Sequence, residues 1–243
     1  MCLRKEPGMI ITIHQPQYLP WLGYFDKAQQ ADVFILLDNV QFKKNEWQNR
    51  NRIRSPQGWQ WLTVPVLHDF GTKINEIKIN NKISWAADHQ KAIELNYCKA
   101  PYFEEYFPYF QKAWGQQWDK LSDINIYFVR LMIDLLGIKT KIVLSSEYEA
   151  TEHKTTRLVD LCKYFNAETY LSGEGGMEYL DEEQFKNNHI KVNIQKYQHP
   201  VYPQKWMNKN AEGFISHLSV VDLLFNCGPE SLAILTNLEG KNS

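Results

Sequence analysis

The sequence lacks most of the short signatures by which catalytic sites are recognised. It has no HExxH motif, no paired His/Cys spacing and no DxDxDG loop, which argues against a tightly held metal ion. It has no GxSxG motif, so a serine nucleophile of the α/β-hydrolase type is not supported. The scattered cysteines form no CxxC pair, and none has a recognisable nucleophile setting; they are Cys2, Cys98, Cys162 and Cys227. We interpret them as free thiols in a reducing compartment.

Long apolar runs and a strong net charge are also missing. No apolar stretch reaches the roughly 18 residues of a membrane span, so none is expected. The segment 1–8, MCLRKEPG, lacks the apolar part of a secretory signal. It is predicted to be a disordered leader, and the protein is predicted to be cytoplasmic. The formal net charge is −1, without the basic character of nucleic-acid binders, so no nucleic-acid partner is expected.

Short apolar runs do occur, and they alternate with helical patterns near both ends of the chain. The strand-like runs are Ile10–Ile13, Val33–Leu37, Lys141–Leu144, Thr169–Leu171 and Lys191–Tyr197. This alternation predicts an α/β fold with a mainly parallel sheet and flanking helices. The expected parts are an N-terminal α/β part 9–84, a helical insertion 85–137, a C-terminal α/β part 138–236 and a tail 237–243. Aromatic residues, 14% of the chain, could line a pocket, although an aromatic core is the commoner cause.

Polar residues follow the first strand, where ligands bind in open α/β sheets. His14 and Gln15 come directly after it. A neutral histidine can donate to a phosphate or act as an acid/base near pH 7, and the start of the following helix would favour an anion. The plain alternative is a histidine hydrogen-bonded within a turn. Tyr18, Trp21 and the later His199 are predicted to line a substrate pocket.

A second group of polar residues follows the second strand. Asp38 could hold a hydroxyl, an amine or a metal ion, and Gln41 could orient a nucleophile. The predicted anion-binding residues here are Lys43, Lys44, Gln48, Asn49, Arg50 and Arg52. Arginine forks suit phosphate or carboxylate. A solvated charged loop and a capped helix end are the plain alternatives.

The third candidate is a glycine-rich turn after a later strand. Ser172, Gly173, Gly175 and Gly176 form a turn whose backbone N–H groups could face an anion. The turn lacks the Walker spacing and a proper GxGxxG. A plain turn is therefore equally compatible with it.

Longer motifs resemble the WbqC-like family, bacterial proteins met in gene sets for O-antigen and other surface polysaccharides. The matching stretches are HQPQYLPWLGYFDK from His14, DNVQF from Asp38, WQNRNRI from Trp47, WLTVPV from Trp61, YLSGEGGMEYL from Tyr170 and LFNCG from Leu224. The first strand, its histidine turn and the DNVQF loop are also similar to HIGH-type nucleotidyltransferases such as pantothenate synthetase, which implies a Rossmann-like fold. The HxGH motif is not intact, because Tyr24 stands where the second histidine is expected, and KMSKS is missing.

These resemblances imply an enzyme of surface-polysaccharide biosynthesis. The expected reaction joins an acyl or aminoacyl group to an amino sugar through a nucleotide-bound or activated intermediate. In that reaction His14 would stabilise phosphate charge, and ATP with Mg²⁺ would be the cofactor. The expected partners are a nucleotide or sugar substrate, and a homodimer is left open. The alternatives are an acyltransferase that uses a carrier thioester and a ligand-binding module without catalysis.

Overall fold

A computed structural model describes residues 8–176, 180–207 and 213–237. Most of the predicted leader 1–8 and of the tail 237–243 lies outside these residues, as does Tyr179, the start of a predicted helix. The chain divides into two compact units that alternate along the sequence. Unit 1 comprises Met1–Gln15, Asp26–Asp38 and Lys139–Gln198, and unit 2 comprises Pro16–Phe25, Asn39–Ile138 and His199–Ser243.

Strands and α-helices follow one another along the described residues. The strands are β1 (Ile10–His14), β2 (Val33–Leu36), β3 (Arg50–Ser55), β4 (Gly58–Thr63), β5 (Val66–Leu67), β6 (Lys78–Ile79), β7 (Lys141–Leu144), β8 (Thr169–Ser172) and β9 (Lys191–Ile194). The helices are α1 (Leu22–Gln29), α2 (Trp85–Tyr97), α3 (Phe103–Trp114), α4 (Leu121–Leu136), α5 (Lys154–Tyr164), α6 (Glu182–Asn187), α7 (Val220–Cys227) and α8 (Ser231–Leu235). No helix in the described ranges is long and apolar enough to cross a membrane.

Unit 1 is built on a five-stranded sheet in the order β7-β2-β1-β8-β9. Every neighbouring pair is parallel, which confirms the predicted α/β, Rossmann-like fold class. The chain first builds outwards from β1 to β7 and then restarts on the other side of β1 with β8. The order therefore reverses between β1 and β8, and such a switch point is where ligands bind in this kind of sheet.

One face of the sheet packs on an apolar core. Alternate residues of the strands, among them Ile11 and Ile13 of β1 and Ile35 of β2, point into this core. Val159 and Cys162 of α5 belong to it as well. The alternation follows from the two-residue repeat of a strand, and each fully buried aliphatic side chain contributes about 1.5–3 kcal/mol.

Unit 2 contains helices α2–α4, α7 and α8, with the antiparallel hairpin β3–β4 and the short pair β5–β6. The sequence predicts an aromatic core cluster of Tyr102, Phe103, Tyr106, Phe107, Tyr109 and Phe110. Phe103, Tyr106, Phe107 and Phe110 are buried, whereas Tyr102 is half-buried and Tyr109 is 48% exposed.

Two predictions for unit 2 were wrong. Residues 50–55 form a strand where we expected only a polar cluster, because the ladder with β4 supplies the backbone bonds. Residues 74–83 were expected to form short alternating strands around Asn80 and Asn81, with a hairpin arm left open. They contain a 3₁₀ turn, Ile74–Glu76, and the two-residue β6, which pairs with β5.

Candidate functional site

The ends of the parallel strands gather several polar side chains in unit 1. We call this region the carboxyl edge and define it by His14, Asp38, Ser145, Ser172 and Gln195. They lie at, or within two residues after, the last residues of β1, β2, β7, β8 and β9 respectively. The sequence therefore brings together here His14, Asp38 and the start of the glycine-rich turn.

Lys27 of α1 occupies the switch point of this edge. Its Nζ donates to the carbonyl of Ile13, at the end of β1, over a long 3.4 Å. A Cβ on Gly173, directly after β8, would lie 3.9 Å from the same Nζ. The amine thus lies at the ends of the two strands between which the order of the sheet reverses.

Lys27 is buried without a carboxylate partner. Its side chain is only 3% exposed, and the described residues offer it no ion pair. The neighbouring carboxylate of Asp26 instead accepts hydrogen bonds from the amides of Gln30 and Gln195, at 2.7 and 2.6 Å. Burial lowers the pKa of Lys27 from 10.5 to about 7, because a charged amine is disfavoured away from water.

His14 is held in one orientation beside this amine. Its Nδ1 donates to the carbonyl of Gln15 at 3.1 Å, which identifies the Nδ1–H tautomer of the neutral ring. Burial, and secondarily the charge of Lys27, lowers the pKa of His14 to about 3. His14 is therefore neutral near pH 7, and Lys27 carries whatever positive charge this pair holds.

Asp38 ties two strand ends together. Its Oδ1 accepts from the hydroxyl of Ser145 at 2.9 Å and from the backbone N–H of Ser146 at 3.0 Å. Its Oδ2 accepts from the hydroxyl of Ser146 at 2.6 Å. These bonds involve both carboxylate oxygens, and they connect the end of β2 to the segment after β7.

The glycine-rich turn is compact, and it requires glycine at one position. The hydroxyl of Ser172 and the backbone N–H of Gly176 both donate to the carbonyl of Gly173, at 3.1 and 2.9 Å. A Cβ on Gly176 would overlap Oγ of Ser172, whereas a Cβ on Gly175 would meet open space. The backbone of Gly176 can therefore lie close to Ser172 because it carries no side chain.

Three of the predicted residues in unit 2 belong to its packing. The hydroxyl of Tyr18, which is fully buried, accepts from Trp114 Nε1 at 2.9 Å and pairs with His89 Nδ1 at 2.8 Å. The side chain of Gln48 accepts from the backbone of Lys43, and that of Asn49 donates to Val64. These bonds hold loop segments in place and engage Oε1 of Gln48 and Nδ2 of Asn49.

His199 is also fixed by backbone groups. Its Nδ1 donates to the carbonyl of Pro200 at 2.8 Å, and its Nε2 accepts from the N–H of His217 at 3.1 Å. The ring of Trp21 stacks against both histidines, with centroids 6.5 and 5.1 Å away. Both ring nitrogens of His199 are therefore already engaged.

The other predicted site residues of the second polar group are accessible. Gln41, predicted to orient a nucleophile, is exposed, as are Lys43 and Lys44, and Arg50 and Arg52 are half-buried against tryptophan rings. The described residues contain no group of three or more His, Cys, Asp or Glu side chains that could hold a metal ion.

Lys27 was absent from the residues predicted from the sequence, although a signal for it exists. Tyr24, Lys27, Ala28 and Ala31 follow the i, i+3, i+4, i+7 spacing of one helical face. All four are buried. A lysine inside an apolar stripe is uncommon, so this position identifies Lys27 as a candidate functional residue.

The comparisons with known proteins agree on one family. The sequence model of the WbqC-like protein family matches residues 15–234. An uncharacterized protein of Mycobacterium tuberculosis, Rv1507c, is 38% identical over 225 residues, covering 91% of this chain and 95% of its own. No solved structure matches significantly. The chain therefore belongs to the WbqC-like protein family.

Proposed function

We propose that this protein is a biosynthetic transferase that binds a nucleotide or nucleotide-activated substrate at the carboxyl edge of its parallel sheet. The phosphate would lie against Lys27, with His14 and the turn from Ser172 to Gly176 around it. The observation that carries the proposal is the buried amine of Lys27, which has no carboxylate partner among the described residues and lies at the switch point.

A phosphate would supply the missing charge. An ammonium group buried without a counter-ion is costly, and an opposite charge within about 4–6 Å favours its protonated form. Because the pKa of Lys27 is lowered to about 7 without a ligand, an anion should raise it again. Binding at pH 8 should therefore take up a proton.

The reaction that we propose joins an acyl or aminoacyl group to the amine of an amino sugar. With ATP, the acyl carboxylate would displace pyrophosphate to give an acyl adenylate, and the amine would then displace AMP. Lys27 would hold phosphate charge during both displacements. Mg²⁺ would come with the phosphates of ATP, since serine residues occupy both oxygens of Asp38.

Calorimetry with ATP and Mg²⁺ tests the binding step. We expect the wild type and Lys139→Met, which removes an exposed lysine of unit 1, to bind alike. Lys27→Met should bind at least tenfold more weakly. At pH 8 the heat should depend on the ionisation enthalpy of the buffer, because a proton is taken up. Failure of ATP and of nucleotide sugars to bind the folded wild type would contradict the proposal.

Product release separates the two candidate reactions. Pyrophosphate and AMP released in the presence of an amino acid and an amino sugar identify the ATP-dependent reaction. Acyl transfer from a carrier thioester without either product identifies the alternative reaction. If the nucleotide binds through Lys27 but neither donor reacts, the protein is a ligand-binding module without catalysis.

A further inference from the structure

The outer face of the β3–β4 hairpin in unit 2 is unusual in composition. Apart from Thr63, the strand residues on this face that are not buried are arginine and tryptophan, where an exposed sheet normally carries short polar side chains. We call this surface the Arg–Trp platform and define it as Trp47, Arg50, Arg52, Trp59 and Trp61. The opposite face of the hairpin, with Asn51, Ile53 and Leu62, is buried.

The register of the hairpin builds the platform. Arg52 lies opposite Trp61, and Arg50 and Arg52 each reach a ring diagonally across the strands. Cζ of Arg50 lies 4.2 Å from the ring centroid of Trp61, and Cζ of Arg52 lies 5.0 Å from that of Trp59. These are cation–π distances, so the indole rings hold the guanidinium groups in fixed positions.

The guanidinium groups make few hydrogen bonds within the described parts of the chain. Nε of Arg50 and Nε of Arg52 are buried there without a hydrogen-bond partner, so an anion would have to meet the terminal nitrogens of these groups. The one bond of the Arg52 side chain in these parts is a long 3.4 Å contact to the carbonyl of His217. An arginine fork fits a carboxylate or a phosphate.

The tryptophan rings offer an apolar surface beside these cations. Trp59 and Trp61 remain 40% and 37% exposed. The centroid of Trp61 lies 5.6 Å from that of Trp47 and 5.5 Å from that of Trp59, with the rings tilted by 47° and 84° respectively. The negative face of an aromatic ring attracts the polarised C–H groups of a sugar ring.

We propose that the Arg–Trp platform is a binding site for an anionic sugar, a pyranose that carries a carboxylate or a phosphate. The sugar ring would stack on Trp59 or Trp61, and its anion would meet Arg50 and Arg52. This goes beyond nucleotide binding at the carboxyl edge and does not depend on it.

Other occupants fit the platform less well. A nucleic-acid strand needs a cationic groove and successive stacking rings, whereas this hairpin offers two guanidinium groups, strongly tilted rings and a chain of net charge −1. A second copy related by a two-fold axis would bring the same guanidinium groups towards each other, which is unfavourable.

Calorimetry at low salt tests the proposal with trigalacturonate, maltotriose, glucose 6-phosphate and a decamer of thymidine. We expect trigalacturonate to bind with a Kd of about 1 mM or tighter and neutral maltotriose to bind at least tenfold more weakly. Glucose 6-phosphate shows whether phosphate serves as well as carboxylate. Either anion, if bound through the platform, supports the proposal.

Variants locate the binding. Arg52→Gln and Trp61→Ala should each weaken trigalacturonate binding about tenfold, since each removes one of the two contacts. Arg130→Gln and Tyr109→Ala, which change exposed residues of α4 and α3, should change it less than twofold. Lys27→Met should also change it less than twofold, which keeps this site separate from the proposed function.

Three outcomes would overturn the inference, provided that the melting temperatures show the variants to be folded. The first is that none of the sugars binds at 10 mM, on the order of the weakest affinity of interest. The second is that maltotriose or the thymidine decamer binds as tightly as trigalacturonate. The third is that trigalacturonate binds Arg52→Gln and Trp61→Ala as it binds the wild type.

Discussion

Replacing Lys27 with methionine should stabilise the protein while removing ligand binding. Folding moves the amine from water to a site that is 3% exposed and lowers its pKa from 10.5 to about 7. At ~1.36 kcal/mol per unit of pKa, this fall corresponds to ~5 kcal/mol as an upper bound. Methionine fills a similar volume without a charge, so we expect a gain of ~3 kcal/mol in the free energy of unfolding at pH 6.

The pH dependence of that gain is the sharper test. Between pH 7 and 10.5 the unfolded chain holds this proton and the folded chain does not, so the stability of the wild type rises with pH in this window. Below pH 7 the amine is charged in both states, and the full cost of burying it is present. The advantage of Lys27→Met should therefore be largest at pH 6 and should shrink steadily towards pH 10.

Urea denaturation and thermal melting from pH 6 to 10 measure this advantage. For a chain of this length, ~3 kcal/mol corresponds to a rise of about 6–12 °C in melting temperature. The matched control Lys139→Met, at an exposed position, should change stability by less than about 0.5 kcal/mol at any pH. A Lys27→Met protein that is less stable than the wild type at pH 6, or whose advantage does not vary with pH, would refute the reasoning.

Three further predictions concern single groups. In Lys27→Met the pKa of His14, followed by NMR of the ring protons, should rise above about 3 but stay below 6.5, because the charge of Lys27 is removed while burial remains. Gly176→Ala should lower the melting temperature, because the added methyl group overlaps Oγ of Ser172. Adding Ser172→Ala to the same chain should restore most of the loss. Additive losses in this double-mutant cycle would show that the overlap is not the cause. Burial raises the pKa of Asp222 from 3.8 to about 6. Between these pH values the folded state holds a proton that the unfolded state lacks, so the stability of the wild type falls as the pH rises. In urea titrations between pH 4 and pH 7, the free energy of unfolding of the wild type should fall by ~3 kcal/mol more than that of Asp222→Asn.

The sheet was predictable from local sequence, because its strands are short runs rich in apolar residues that alternate with helical patterns. Val33–Leu36 is buried at every position, as a strand covered on both faces must be. The strand β3 was not predictable in this way, because its RNRIRS sequence replaces the usual β-branched residues with arginine. Cross-strand contacts with Trp59 and Trp61 compensate for that, and such contacts are not visible in a single segment.

The strand ends show where polar residues gather more clearly than they show which residues remain available to a ligand. His14 ends β1 and Gly173 follows β8, so both lie at one edge of the sheet. The burial of Lys27 depends on tertiary packing, and the bonds that occupy Tyr18 and His199 come from distant parts of the chain. The sequence shows that a polar side chain can form hydrogen bonds, but only the fold shows which group is its partner.

The position of β1 in the middle of the sheet has a consequence for synthesis of the chain. β1 pairs with β2 soon after both emerge, but its other edge waits for β8, whose paired residues 169–171 lie about 160 positions later. Until then the nascent chain presents an unpaired apolar strand edge, which can recruit other chains. The seam between β1 and β8 thus closes late, with only the pairing of β9 to β8 still to follow, and Lys27 lies at its end. We expect chains that stop before β8 to aggregate rather than to form a smaller folded unit.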